Sequence, residues 1–299
     1  MEELPGGRPD REDDRPRFVS VIVPALNAGA TLRTQLEALA AQTYDGPWEV
    51  VIADNGSTDD TLDVARAWID RMPKMSIVDA SARRSSNYAR NRGALAASGD
   101  LLLFCDSDDV VDAGWIEAFV AASGSSDMLG GWYEDRTLNA GRSRPRHASD
   151  HLPTGKGFLP YALGGNLAVD ASVFQALGGF REEYALGACE VEFCWRAQLA
   201  SYTLSFVPEA VVRYRHRQGL RAVARQNYIR GQSRPRLYRD FRGYGMPKSR
   251  MRSTILAWTW IITRSYYLLE PDRRVEWIRR AFVRLGMLRG SFRYRVLYI

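Results

Sequence analysis

The sequence of 299 residues predicts an α/β fold built on a mostly parallel, doubly wound sheet. Predicted strands and helices alternate four times between residues 18 and 122. Residues 101–105 form an uninterrupted apolar run, as expected for a parallel strand that is buried on both faces. Two predicted strands lead directly into aspartates, Asp54 and Asp106. Sheets of this kind bind ligands beyond the carboxyl ends of their strands, so these aspartates are candidate site residues.

The elements follow from local patterns. Segment 18–24 is rich in β-branched residues and ends near Pro24, and apolar residues at helical spacing follow it. The further predicted strands are 48–54, 75–78, 101–105, 128–135 and 204–214. The predicted helices pass through 32–39 and 62–69 and cover 86–97, 112–122, 173–177 and 190–200. We expect a loop over 139–157 and a turn over 164–166.

Composition divides the chain into three predicted regions. Residues 1–17 are polar, charged and rich in Pro and Gly, which predicts a disordered leader and no signal peptide. We expect an α/β domain over 18–217, with halves 18–124 and 125–217, and a basic, aromatic-rich helical region over 218–299. The three cysteines have no zinc-type spacing and are expected to be buried thiols in a reducing compartment.

Charge is distributed unevenly along the chain. Residues 213–299 contain 22 Lys or Arg against 4 Asp or Glu, whereas residues 1–212 carry a net charge of −12. Such basic regions bind nucleic acid, anionic membranes or anionic substrates. Tryptophan and tyrosine interleave with the arginines, which favours a membrane interface. Segment 255–269 is too short and too interrupted to span a bilayer, so an interfacial helix is expected. The alternative is a packed helical subdomain with a solvated arginine face.

Residues 101–109, LLLFCDSDD, are the most informative motif. Asp106, Asp108 and Asp109 follow a buried strand, where clustered carboxylates repel one another unless a cation balances them. Hard oxygen ligands suit Mg²⁺ or Mn²⁺, which can hold a diphosphate. The alternative is that Asp109 or Asp112 simply caps the following helix.

Several motifs together resemble those of the family-2 glycosyltransferases. They are VIVPALN (21–27), VVIADNGSTDDT (50–61), NYARNRGALAASGD (87–100), CDSDD (105–109), GGNLAVDASVFQALGGF (164–180) and CEVEFCWRA (189–197). The resemblance covers about residues 19–217. It implies the GT-A fold, an inverting mechanism and a nucleotide-sugar donor held through a divalent metal.

The resemblance also implies roles for individual residues. Asp54 would accept the ring N–H of a uracil or thymine base, Asp106 would face the ribose and Asp108 would ligate the metal. Arg90 and Asn91 would brace the donor or the aspartates, and His216 is a candidate further metal ligand. The full set implied to bind the nucleotide sugar is Pro24, Asn27, Asp54, Arg90, Asp106, Ser107 and Asp108. Alternatives remain open: Asp54 as a turn residue, Arg90 as a buried ion-pair partner and His216 as an ordinary loop residue.

The resemblance implies that the general base lies at Cys189-Glu190, where the family has a Glu-Asp pair. Glu190 can take the proton of an acceptor hydroxyl, although it is one methylene longer than Asp. Glu192 ranks far behind as a base, because it points away on the helix. The alternative is that Glu190 only interacts with the helix dipole. Arginines near the last strand are expected to hold phosphate, namely Arg213, Arg215 and Arg217.

We therefore expect a hexosyl- or deoxyhexosyltransferase for polysaccharide or glycolipid biosynthesis, using Mg²⁺ or Mn²⁺ and a UDP- or dTDP-sugar. Its acceptor would be a glycan or lipid-linked hydroxyl, and its location cytoplasmic, peripheral at the inner membrane face. The alternative is a catalytically impaired nucleotide-sugar-binding paralogue that acts as a membrane scaffold. The turn after the first strand lacks the G-x-G-x-x-G cradle, which excludes a dinucleotide-dependent oxidoreductase. No recognised nucleic-acid-binding module is present in the sequence.

Overall fold

The computed structural model describes residues 17–140, 150–155, 157–184, 187–217 and 219–298, except the side chain of Asp272. Apart from Arg17, the predicted disordered leader lies outside the described residues. The predicted loop 139–157 is described at both ends, but residues 141–149 and 156 lie outside. Among the described residues, the chain forms two compact units. Residues 17–154, 159–184 and 189–216 make the first, and 155–158, 187–188 and 217–298 make the second.

Within its described residues, the first unit contains one eight-stranded sheet. Its strands are β1 (Val19–Ala25), β2 (Trp48–Asp54), β3 (Met75–Asp79), β4 (Leu101–Cys105), β5 (Val110–Val111), β6 (Met128–Glu134), β7 (Asn166–Asp170) and β8 (Leu204–Arg213). Its α-helices are α1 (Gly29–Ala40), α2 (Thr61–Arg66), α3 (Ser86–Ala96), α4 (Trp115–Ala122), α5 (Ala171–Ala176) and α6 (Cys189–Leu199).

The sheet has the order β3-β2-β1-β4-β7-β6-β8-β5. Strands β3, β2, β1 and β4 run parallel, as predicted, and β6 is parallel to β8. Strand β7 is antiparallel to both β4 and β6, and the short β5 is antiparallel to β8. The sheet is therefore mixed, with its parallel half at the amino-terminal end of the chain.

Helices cover both faces of the sheet. On one face, Leu32 and Leu36 of α1 join the buried cluster that contains Val21 of β1. On the other face, a Cβ atom built on Gly93 of α3 would lie 2.6 Å from Cγ2 of Ile22, so α3 lies directly against the strand. Adjacent strand residues point to opposite faces, and both are filled with apolar side chains. The fold is the doubly wound α/β class that the sequence predicts.

The second unit is helical, with α7 (Leu220–Phe241), α8 (Met251–Thr263) and α9 (Pro271–Arg293). Helices α7 and α9 approach closely because glycines meet at their contact. A Cβ atom on Gly231 would lie 2.9 Å from Cα of Gly286, and one on Gly286 would lie 2.1 Å from the carbonyl oxygen of Tyr228. Neither position has room for a side chain.

Helix α8 and a following 3-10 turn (Ser265–Leu269) occupy the segment for which an interfacial helix is predicted. The aromatic side chains there are at least partly exposed, and Trp260 and Tyr267 among them contact arginines. The guanidinium of Arg280 lies 4.0 Å from the ring centre of Trp260, and that of Arg273 lies 5.0 Å from the ring centre of Tyr267. None of the helices in the described part of the chain combines the length and apolar character needed to cross a bilayer.

Candidate active site

The sheet register brings three sequence-predicted residues to one edge. Ala25 at the end of β1 pairs with Asp54 at the end of β2. Ile22 of β1 pairs with Phe104 of β4, so both strands also end at this edge, near Pro24 and Asp106. The carboxyl edge of the parallel strands is therefore lined by candidate donor-binding residues, as the fold class predicts.

Beyond β4, the three aspartates of the LLLFCDSDD motif form a cluster. Asp106, Asp108 and Asp109 each offer a carboxylate oxygen, and the three oxygens lie within 4.8 Å of one another. Asp109 is buried, and the other two are partly exposed. Ser107 lies between them in the chain and is buried. Three hard oxygen donors this close are the ligand set that Mg²⁺ or Mn²⁺ prefers, so the residues fit the cation that the family resemblance implies.

Arg90, on α3, connects this cluster to a different part of the chain. Its Nη2 donates to Oδ1 of Asp106 at 2.6 Å, and its Nη1 donates to Sγ of Cys189 at 3.9 Å. Burial alone lowers the pKa of the Arg90 guanidinium, but the carboxylate charges of Asp106 and Glu190 contribute to a net rise. Arg90 is thus a buried cation that bears on both the aspartates and the predicted base.

Glu190 is the second residue of α6 and is partly exposed. Cys189 precedes it and is buried, and its thiol donates to Oε2 of Glu190 at 3.2 Å. Burial and the neighbouring charge of Glu190 raise the pKa of the Cys189 thiol well above its usual value, so the group stays protonated. Proton abstraction by Glu190 stays a prediction.

The backbone of Gly164 and Gly165 packs closely against Asp106 on one side and Glu190 on the other. A Cβ atom on Gly165 would lie 2.6 Å from Oδ2 of Asp106 and 2.7 Å from the hydroxyl of Tyr133. A Cβ atom on Gly164 would lie 3.4 Å from both Cζ of Arg90 and Cβ of Glu190. The turn before β7 therefore packs against the aspartate side and the base side, and it does so because it carries no side chains there.

The first two parallel strands end in a linked pair of turns. The carboxylate of Asp54 accepts from the backbone N–H groups of Gly56 and Ser57 at 3.2 Å each. Asn27 has a positive φ of 49° and accepts the backbone N–H of Thr58 at 2.8 Å. Asn tolerates this left-handed conformation better than most residues. These contacts match the turn-residue alternative for Asp54, while nucleobase binding stays a prediction.

His216 has a carboxylate partner outside the aspartate cluster. Its Nε2 lies 3.1 Å from Oδ2 of the buried Asp135, and its backbone N–H donates to Oδ1 of Asn139 at 2.8 Å. The metal-ligand role of His216 stays a prediction. The residue before it, Arg215, contacts the aspartate cluster. Its backbone N–H donates to Oδ1 of Asp109 at 2.8 Å, and its Nε donates to the carbonyl oxygen of Asp108 at 3.0 Å.

The remaining arginine predictions and Glu192 have structural partners. Arg213 pairs with Asp112 at 2.5 Å. Glu192 is fully buried and pairs with Arg196 at 2.7 Å, one helical turn further along α6. Arg196 also donates to the carbonyl oxygens of Leu177 and Gly179. Glu192 therefore holds an arginine that braces the turn after α5, in agreement with its low rank as a base.

Two asparagines have partners that the sequence does not indicate: Asn55, which was not singled out as a site residue, and Asn91, which the resemblance groups with Arg90 as a brace for the donor or the aspartates. Asn55 is buried and donates to the carbonyl oxygens of Ala80 and Arg83 at 2.6 and 2.7 Å. Asn91 donates to the carbonyl oxygen of Phe180 and accepts its N–H, at 2.8 and 2.9 Å. Asn55 lies in the motif NGS and Asn91 in the motif ARN. The sequence shows these residues, but it does not show their partners, which are 25 to 89 positions away along the chain.

Comparison with known proteins places this site in context. Residues 20–180, more than half of the chain, match the family model "Glycosyl transferase family 2". The chain is 32% identical to glycosyltransferase AglE of Haloferax volcanii over 65% of its own length and 66% of that protein. It is 34% identical to a PGL/p-HBAD biosynthesis glycosyltransferase of Mycobacterium bovis, over 40% and 48% of the two lengths. The chain therefore spans less than two thirds of either curated relative.

Solved structures share the fold. The mannosyltransferase PcManGT from Pyrobaculum calidifontis, in complex with GDP-Man and Mn²⁺, has a TM-score of 0.63 at 19% identity and covers 93% of this chain and 88% of its own. Residues 1–349 of S. aureus TarS in complex with UDP give 0.56 at 19% identity, covering 94% and 93%. The sequence match extends over the aspartate cluster and the glycine pair, and the fold is that of nucleotide-sugar-binding relatives. The chain belongs to glycosyl transferase family 2.

Proposed function

We propose that this protein transfers a sugar from a nucleoside-diphosphate donor to a hydroxyl of a glycan or lipid-linked acceptor, with inversion at the anomeric carbon. The observation that carries the proposal is the convergence of the aspartate cluster, Arg90 and Glu190. The cluster offers a place for the diphosphate end of a donor, and Arg90 lies between it and a partly exposed carboxylate. Membership of the family supports the reaction class.

In the proposed reaction, the acceptor oxygen attacks the anomeric carbon from the side opposite the diphosphate. The bond between that carbon and the diphosphate oxygen breaks, and its electron pair leaves with the nucleoside diphosphate. Glu190 accepts the proton of the attacking hydroxyl. A Mg²⁺ or Mn²⁺ ion held by Asp108, with Asp106 and Asp109 beside it, would neutralise charge on the leaving diphosphate.

The other donor contacts are proposed from the positions of residues at the same edge. Pro24 and Asp54 lie at the carboxyl ends of the paired strands β1 and β2, and Asn27 follows β1, where the nucleoside would lie. We favour UDP- or dTDP-sugars because a carboxylate such as Asp54 can accept the ring N–H of uracil or thymine. The solved relatives have GDP-Man or UDP bound, so GDP-Man is the alternative donor to test.

We also propose that the second unit contacts an anionic membrane surface peripherally, which would bring lipid-linked acceptors within reach. The segment from 213 to 299 has a large excess of basic residues. Helix α8 exposes apolar side chains, with Met251 and Ile255 each 58% exposed and Ile262 69% exposed. Exposed apolar residues beside arginines are typical of helices that lie in an anionic bilayer interface.

The donor proposal is tested by thermal unfolding with UDP, dTDP, GDP and GDP-Man, each with and without Mn²⁺. A bound ligand at a hundredfold excess over its Kd stabilises the folded state by about 2.7 kcal/mol, which raises Tm by several degrees. We expect one nucleotide to do so in the presence of Mn²⁺, and Asp108→Asn to abolish the effect. Asp112→Asn is the matched control, because Asp112 pairs with Arg213 outside the cluster.

A sugar-transfer assay with the nucleotide sugar that raises Tm separates the two proposed functions. Nucleotide binding without sugar transfer, even with lipid-linked acceptors, would favour the catalytically impaired scaffold that the altered Cys189-Glu190 pair suggests. If no nucleotide raises Tm with or without Mn²⁺, the glycosyltransferase proposal is wrong.

A further inference from the structure

The thiol of Cys189 accepts one hydrogen bond and donates another. Its sulfur accepts from Nη1 of Arg90 at 3.9 Å, and its S–H donates to Oε2 of Glu190 at 3.2 Å. The side chain is buried, at 3% exposure. The thiol therefore lies between a buried cation that is bound to Asp106 and the carboxylate of the proposed base.

We propose that Cys189 is a positioning residue that fixes the carboxylate of Glu190 in the orientation needed to receive the acceptor's proton. The inference rests on the proposed function, in which Glu190 is the base. Cys189 does not touch the reacting atoms in this proposal. Its contribution is to hold Oε2, so that Oε1 faces the acceptor.

The chemistry of the thiol suits this role better than that of the residue it replaces in the family's Glu-Asp pair. A thiol is a weak donor and a weak acceptor at the same time, whereas an ionised carboxylate only accepts. A Glu at position 189 would also add a negative charge beside Glu190. Because burial raises the pKa of the Cys189 thiol, the proton that it donates is retained at neutral pH.

The neighbours of Glu190 include Gly164 and Arg90 as well as Cys189. Gly164 lies close to both Arg90 and Glu190, since a Cβ atom built on it would lie 3.3 Å from Nη1 of Arg90 and 3.4 Å from Cβ of Glu190. Arg90 is held by Asp106, and its side chain is only 7% exposed. Cys189 thus links a fixed guanidinium to a longer and more flexible carboxylate. This compensates for the additional methylene that distinguishes Glu190 from the family's Asp.

The test compares Cys189→Ala, Cys189→Ser and Glu190→Gln with the unaltered chain. The readout is release of the nucleoside diphosphate from UDP-glucose, dTDP-glucose or GDP-Man, whichever is turned over in the presence of Mn²⁺. Losing a hydrogen bond to a charged partner should lower kcat of Cys189→Ala about fivefold, with the donor KM unchanged. Serine both donates and accepts, so Cys189→Ser should keep kcat within about twofold.

Cys194→Ala is the matched control, because Cys194 is a fully buried thiol on the same helix that has no hydrogen bond to Glu190 in the described contacts. Its kcat should equal that of the unaltered chain, whereas a general packing role for buried thiols would lower both. Equal kcat for Cys189→Ala and the unaltered chain, with Glu190→Gln inactive, would overturn the positioning role and leave the proposed function standing. An active Glu190→Gln would overturn the base assignment and the positioning role together.

Discussion

At the scale of single residues, Glu49 shows how a buried charge is stabilised in this fold. Its carboxylate accepts from Oγ of Ser20 at 2.8 Å and from the backbone N–H of Ser98 at 2.6 Å, and Nζ of Lys74 lies 2.6 Å away. Burial raises the pKa of the Glu49 carboxyl, but these three partners together lower it by more than burial raises it. The pKa therefore lies below the usual value. The ionised form is therefore the one that the folded state favours.

We predict that Glu49 makes stability depend on pH. Since the folded state has the lower pKa, its stabilisation is present above the usual Glu pKa of about 4.3 and is lost as the pH falls through the folded value. Glu49→Gln should lower the free energy of unfolding at pH 7 by about 1–3 kcal/mol, because a charged hydrogen-bond acceptor is removed. It should also reduce the acid-side loss of stability. Urea unfolding between pH 7 and pH 3 measures both effects.

Asp63→Asn is the control for this prediction, because Asp63 pairs with Arg66 at 3.0 Å but is 81% exposed. Exposed ion pairs contribute little, so this variant should follow the unaltered chain at every pH. If Glu49→Gln lost as much unfolding free energy between pH 7 and pH 3 as the unaltered chain, other carboxylates would control the acid sensitivity.

The sequence identified candidate residues more readily than their partners. Asp106 and Asp108 could be found because they directly follow an apolar strand. The contact between Arg90 and Cys189 could not, because it joins residues 99 positions apart through side-chain packing. For His216, the sequence showed a histidine beside arginines, but the carboxylate that it contacts at 3.1 Å in the structure, Asp135, lies 81 positions earlier. Such pairings depend on the strand order.

At the scale of elements, local patterns predicted the parallel half of the sheet well. The predicted bounds of β2 and β4 agree with the structure. Strand β4 is a continuous apolar run, β2 has four consecutive apolar residues at 50–53, and both strands stop at a polar turn. The two-residue β5 was absent from the prediction, since Val110–Val111 is too short to show a period. Strand β7 was also absent from the prediction, which had only a turn over 164–166 there. Its antiparallel direction is decided by its connection and its neighbours.

The turn before β7 leads to a prediction about Gly165. Gly165→Ala would place a methyl group within 2.6 Å of Oδ2 of Asp106 and 2.7 Å of the Tyr133 hydroxyl, so both must move. We expect a loss of about 1–3 kcal/mol of stability, as is usual for overpacking, and a displaced Asp106 carboxylate. The Mn²⁺-dependent rise in Tm with nucleotide should therefore disappear.

Gly164→Ala is the matched variant at the neighbouring position. Its methyl group would lie 3.3 Å or more from the atoms of Arg90 and Glu190, so less movement is needed. It should keep the nucleotide-dependent rise in Tm. If both variants keep the rise, the Gly165 backbone does not support the Asp106 position.

At the scale of the whole molecule, the uneven charge along the chain leads to a prediction about membranes. We expect the protein to sediment with vesicles of phosphatidylglycerol and phosphatidylcholine, and less so as the salt concentration rises. The double variant Ile255→Ser, Ile262→Ser should weaken binding by at least about tenfold, because burying each isoleucine is worth about 1.5–3 kcal/mol. Pure phosphatidylcholine vesicles should bind the unaltered chain poorly.

Leu95→Ser is the control for the membrane experiment. Leu95 is 75% exposed but belongs to α3 in the sheet-containing unit, so vesicle binding should not change. Loss of binding in Leu95→Ser to the same extent as in the α8 variant would indicate nonspecific hydrophobic adsorption. Unchanged binding in the α8 variant would contradict a role for this helix.

The position of β7 has a consequence for how the protein folds. Strands β1 to β4 are consecutive in the chain and pair among themselves, so they can associate soon after they are synthesised. Strand β7 pairs with β4 only after a long intervening segment has been made, and closing such a loop slows folding. The Gly164–Gly165 turn that meets Asp106 and Glu190 arrives with β7. The aspartate cluster therefore precedes this turn in the order of synthesis, and a chain in which only the parallel half had formed would have the acidic cluster without the turn that packs against Asp106.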